Sequence, residues 1–141
     1  MAEEILVKEA LTTEKIEGGK LLTELLDKTD LEITASFWFY FIDAQKWNLI
    51  LGISQVMKEG SLKSIAKIQK VFEKNQFQGI DFLDVIVLQS DHPIIKRLMK
   101  MATTGKTIKG IRISQSVIDG VFIQDAYIYR LIKSIKIKKV A

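Results

Sequence analysis

The strongest pattern along the chain is a period-two run from Ile33 to Ile42. One side reads Ile33, Ala35, Phe37, Phe39, Phe41, and the other Thr34, Ser36, Trp38, Tyr40, Ile42. Alternating aromatic and β-branched residues suit a pleated strand. Asp43-Ala44-Gln45-Lys46 interrupts the run. Trp47 to Ser54 resumes it, with Trp47, Leu49, Leu51 and Ile53 on one side, so the two segments predict a hairpin. Asp119-Gly120 predicts a second hairpin between Ile108–Val117 and Val121–Tyr129, because both central turn residues need φ > 0. Asp84 to Gln89 is a short, nearly continuous apolar run, the pattern of a strand buried on both faces.

Three segments carry helical spacing instead. Thr12 or Thr13 can cap a helix running to about Lys28, with Leu21, Leu22, Leu25 and Leu26 on its buried side. Gly18-Gly19 inside it either breaks the helix or admits another part of the chain at close range. Residues 3–11 either extend it, the favoured expectation, or form a short edge strand. Gly60-Ser61 opens the next helix, with Ser61 as N-cap and Leu62, Ile65, Ile68 and Phe72 as its apolar stripe. Ser90-Asp91-His92-Pro93 starts the third, since proline suits the first helical position. Its apolar side is Ile94, Ile95, Leu98, Met101 and Ala102, and Gly105 is expected to end it. The predicted order is α-ββ-α-β-α-ββ. It makes an α+β domain over residues 1–130: a mixed, mainly antiparallel sheet of about five strands with three main helices. Residues 131–141 are expected to form a basic tail or a short helix.

Composition sharpens this picture in a few places. The 141 residues suit one domain and are 48% hydrophobic and 27% charged. There are no cysteines, which removes disulfides, thiolate metal sites and cysteine nucleophiles together. Met1-Ala2-Glu3-Glu4 is acidic where a signal peptide would be basic. Ile33 to Ile42 falls well short of the roughly 20 residues that span a bilayer as a helix. The expectation is a soluble, cytoplasmic protein with no membrane partner.

The candidate chemistry is thin. Gly105-Lys106-Thr107 suggests a P-loop, but Lys100 stands where that motif needs glycine, and the order here is helix then strand. His92 is the only histidine, and its place before Pro93 makes it a capping residue. A magnesium-dependent nuclease would place Asp-x-Lys or Glu-x-Lys on a core strand, whereas Asp125-Ala126-Tyr127 has tyrosine in the lysine position. No metal, cofactor or catalytic residue is expected.

Three surfaces remain as candidates. Lys63, Lys67, Lys70 and Lys74 fall on one line of their helix at 100° per residue. With Arg130, Lys133, Lys136, Lys138 and Lys139 they could meet a polyanion, although the net charge is only +4. Trp38, Tyr40 and Trp47 are either an interface or core, and the pattern leaves both open. Asp125, Tyr127 and Tyr129 share one strand face, and with Arg130 they could line a pocket.

Gly110-Ile111-Arg112-Ile113 and the segment from Val117-Ile118-Asp119-Gly120 through Asp125-Ala126-Tyr127-Ile128-Tyr129-Arg130 resemble the C-terminal part of a group of small, uncharacterised bacterial proteins. Ala35-Ser36-Phe37-Trp38-Phe39-Tyr40 and Ser90-Asp91-His92-Pro93 resemble the same group. The resemblance covers most of the chain up to Leu131. It implies a stand-alone bacterial domain and carries over no catalytic residue. The leading expectation is a non-catalytic domain that self-associates or binds another protein through the aromatic hairpin or a strand edge. The alternative is a nucleic-acid-associated protein. The third is a hydrolase or nuclease with a dispersed site.

Overall fold

A computed structural model describes residues 9–133. The element order is α1 (Thr13–Leu26), β1 (Ile33–Phe41), β2 (Lys46–Ile53), α2 (Val56–Glu59), α3 (Leu62–Lys74), a 3₁₀ turn (Phe82–Asp84), β3 (Val85–Gln89), α4 (Pro93–Met99), β4 (Ile111–Ile118) and β5 (Val121–Leu131). The five strands form one mixed sheet in the order β3-β2-β1-β5-β4, with only the β2–β3 pair parallel. This is the expected α+β layout.

β1 lies at the centre of the sheet, which is why both of its faces are apolar. Trp38 and Tyr40 pack with Leu22 and Leu26 of α1 and Ile68 of α3. Phe37 and Phe39 pack on the opposite face with Ile95 and Leu98 of α4. Ile33 departs from the predicted alternation and joins the Trp38 side, because the β1–β2 register shifts between Ile33 and Ala35.

The Asp119-Gly120 turn has φ 53 and 77, as the primed turn demands. Thr12 caps α1 by accepting from the Lys15 N–H at 3.1 Å, so residues 9–12 are not a helical extension. Residues 3–8 of that expectation, and residues 134–141 of the tail, lie outside the described residues. Arg130 and Leu131 belong to β5.

The Gly18-Gly19 alternative resolves as close approach. A Cβ on Gly19 would sit 2.5 Å from the Tyr129 hydroxyl and 2.7 Å from Trp38 Nε1. Because α1 meets the sheet along Gly18, Gly19, Leu22 and Leu26, Leu21 is turned outward and Leu25 is only half-buried. Leu62, at the first position of α3, is 79% exposed rather than part of the apolar stripe. Ser61 makes no side-chain capping bond. β3 is an edge strand, so its four apolar residues are half-buried, even though Val85 and Val87 pack on one core and Ile86 and Leu88 on the other. α4 ends at Met99; Met101 and Gly105 follow in the connection, so Gly105 is not its stop.

Candidate functional site

The aromatic hairpin is interior. Trp38 is 0% exposed, Tyr40 6% and Trp47 1%. α1 and α3 cover that face of the sheet, and Trp47 Nε1 donates to the Glu9 carbonyl at 2.7 Å. The interface expected at these three rings is corrected accordingly: they are core.

The predicted pocket of Asp125, Tyr127, Tyr129 and Arg130 is filled by its own contacts. Asp125 is buried and accepts both Nε and Nη2 of Arg112, at 2.7 and 2.8 Å. That guanidinium is held protonated by its hydrogen bond to Asp125, which raises its pKa above the usual arginine value. The Tyr127 ring meets Tyr129 edge-on, with centroids 5.4 Å apart. A register shift in the β1–β5 pairing lies between Ser36↔Arg130 and Phe37↔Ile128. Tyr129 and Arg130 consequently both reach α1. Arg130 grips Asp27, the C-cap residue of α1, through two bonds of 2.8 Å, and also donates to the Ile33 carbonyl at 3.2 Å. These polar groups join elements of the fold.

Tyr129 is the best buried of the tyrosines. Its hydroxyl donates to the Ile16 carbonyl at 2.6 Å and accepts from Trp38 Nε1 at 3.1 Å. Burial raises its pKa well above the ordinary tyrosine range. The folded state favours the neutral phenol, so this stability is fully present below the unfolded value of about 10 and is lost as pH rises above it. Absorbance titration at alkaline pH should show Tyr129 ionising only as the protein unfolds. A Tyr129→Phe variant with the same titration amplitude in the folded state is the expected control. A smaller amplitude would show that Tyr129 ionises in the fold.

The lysine line on α3 is interrupted. Lys63, Lys70 and Lys74 are exposed, but Lys67 contacts both oxygens of Asp30 at 2.8 and 3.0 Å. The hydrogen bond and charge of Lys67 lower the pKa of Asp30 below the usual carboxylate value. Other acids are also committed locally: Asp119 to Lys100 at 2.6 Å, and Asp84 to the Asp81 N–H at 2.8 Å. Among the described residues no three His, Asp or Glu side chains converge on a position for a metal ion. His92 is the N-cap of α4, with Nδ1 accepting from the Ile94 N–H at 3.2 Å.

A concave feature lies elsewhere on the described residues. A cleft of about 390 Å³ opens between α4 and the two hairpins. Its walls include Phe39, Phe41, Ile42, Val121 and Phe122, and its polar lining is Asp43, His92 and Arg97. Antiparallel pairing of β1 with β5 brings the end of β1 beside the start of β5, so both hairpin turns reach one end of the sheet. α4 crosses the same face. Sequence reasoning missed Ile42, Phe122 and Arg97 as a group because the β1–β5 pairing that assembles them is long-range. The available signal was an apolar residue next to each turn. No family model, curated protein or solved structure matches the chain.

Proposed function

We propose that the chain is a non-catalytic interaction domain that self-associates through the open edge of β4. The supporting observation is the character of that edge. β4 ends the sheet, and β5 is its only strand neighbour among the described residues. Val117 of β4 stands opposite Phe122 of β5, and the two are 67% and 46% exposed. Edge strands are commonly protected by charged side chains or proline; Ile111–Ile118 has no proline, and its one charge, Arg112, is turned to Asp125 of β5. Its one irregularity is Gln115, at φ 46. An antiparallel β4–β4 pair about a twofold axis would extend the sheet across two copies. The burial of Trp38, Tyr40 and Trp47 turns the interaction reading from the aromatic hairpin to a strand edge, and the exposed Val117 and Phe122 favour β4 over β3 at the other edge. Polyanion binding by α3 is the weaker alternative, with Lys63, Lys70 and Lys74 exposed and Lys67 engaged by Asp30.

Light scattering over a concentration series tests the proposal. The wild-type chain should approach twice its monomer mass. Val117→Lys should remain monomeric, because a lysine on an edge strand opposes the addition of another strand. A wild-type monomer at every concentration, or identical masses for the two proteins, defeats it.

A further inference from the structure

The cleft beside α4 differs from an ordinary apolar groove in carrying a half-buried charge. Arg97 projects into a lining dominated by aromatic and aliphatic side chains. Its Nε is buried and has no hydrogen-bond partner. Among the described residues no ion pair reaches this guanidinium, and, half-buried against apolar walls, it gains from an anion that accepts its N–H bonds. His92 adds a second donor. Its Nδ1 accepts the Ile94 N–H, so in the neutral ring the proton sits on Nε2. Phe39, Phe41 and Phe122 supply walls for an apolar body. A cavity of this size, mostly apolar with a few polar groups, is typical of small-ligand sites. Asp43, the one acid of the lining, is exposed, where water and salt screen it.

We infer that this cleft binds a small amphipathic anion: an aromatic or aliphatic body ending in a carboxylate or a phosphate monoester, with Arg97 and His92 holding the anionic end. The inference does not depend on edge pairing, because its anion contacts are Arg97 and His92, neither of which lies on β4.

The test uses the full chain and four probes of similar size: phenylacetate, phenyl phosphate, 2-phenylethanol and 2-phenylethylamine. Binding is followed by amide and imidazole chemical shifts in NMR titrations. At least one anion should bind, moving the signals of His92 and Phe122, and it should bind about tenfold more tightly than the alcohol, the scale of one charge-assisted contact. The ranking of phenylacetate and phenyl phosphate tells carboxylate from phosphate recognition. The amine should bind least. Arg97→Gln should abolish the preference for the anion over the alcohol. Lys96→Gln, an exposed neighbour on α4, should preserve it. Shifts at His92 and Phe122 are read on the wild-type chain whether it is monomer or dimer, which separates failure of this site from failure of edge pairing. Equal affinity of anions and alcohol for the wild-type protein overturns the inference, and that comparison holds even where Arg97→Gln does not fold. So do an unchanged preference in folded Arg97→Gln and the absence of shifts at His92 and Phe122 with millimolar anion.

Discussion

Asp27→Ala is expected to destabilise the fold by about 3–5 kcal/mol, the range seen when one partner of a buried ion pair is removed. The size follows from which partner is buried. The Arg130 side chain is 5% exposed, whereas that of Asp27 is 38% exposed. Deleting Asp27 strands a guanidinium in the interior, where its Nε already lacks a partner. The reciprocal change is milder. Arg130→Met fills much of the same space and leaves a carboxylate that water can reach, at a cost of about 1–2 kcal/mol. Part of that cost is specific: Asp27 caps the C-terminus of α1, where the helix dipole disfavours an uncompensated negative charge. The double variant Asp27→Ala/Arg130→Met should recover most of the loss, because no unpaired charge remains. Urea unfolding of the four proteins measures the cycle. Equal costs for the two single changes, or strict additivity in the double, would show that the pair is not coupled in this way.

That ion pair marks the boundary of what was legible from the residues alone. Local signals worked where local chemistry decides. The Asp119-Gly120 turn, the aromatic alternation of β1 and the Pro93 helix start all rest on short-range φ preferences and side-chain pitch. What failed was assignment across distance. Arg130 meets Asp27 and Lys67 meets Asp30 through tertiary placement. The helical spacing of the α3 lysines was sound, yet it could not reveal that Lys67 was already engaged. Face assignment failed for a related reason. Shifts in register near Ile33 and Tyr129 break the period-two rule on which it rests. Gln115 does so again: Ser114 bonds Asp125, while Ile118 and Ile123 beyond it pack on the opposite core. The cleft was hidden for the same reason, since β1 and β5 meet only in the folded sheet.

Gly19→Ala is the second change with a large expected effect, and its sign runs against helix propensity. On an exposed helix the substitution would stabilise by about 0.5–1 kcal/mol. Here the new methyl would fall 2.5 Å from the Tyr129 hydroxyl and 2.7 Å from Trp38 Nε1. Neither ring can retreat easily. Trp38 is held by the Lys15 carbonyl at 3.0 Å and Tyr129 by the Ile16 carbonyl at 2.6 Å, and both rings are buried. The helix must therefore lift off the sheet or the two rings must give up their bonds to α1. Overpacking of this kind costs about 1–3 kcal/mol, and loss of a buried hydrogen bond adds about 1–3 more. A net loss of about 2–4 kcal/mol is expected after the propensity gain. Thermal unfolding followed by tryptophan fluorescence reads both parts, since Trp38 should also report a changed environment in the native state. The companion variant Gly19→Ala/Tyr129→Phe removes the nearest atom of the clash and should regain part of the loss. If Gly19→Ala alone matched the wild-type midpoint, the close packing of α1 on Trp38 and Tyr129 would be refuted.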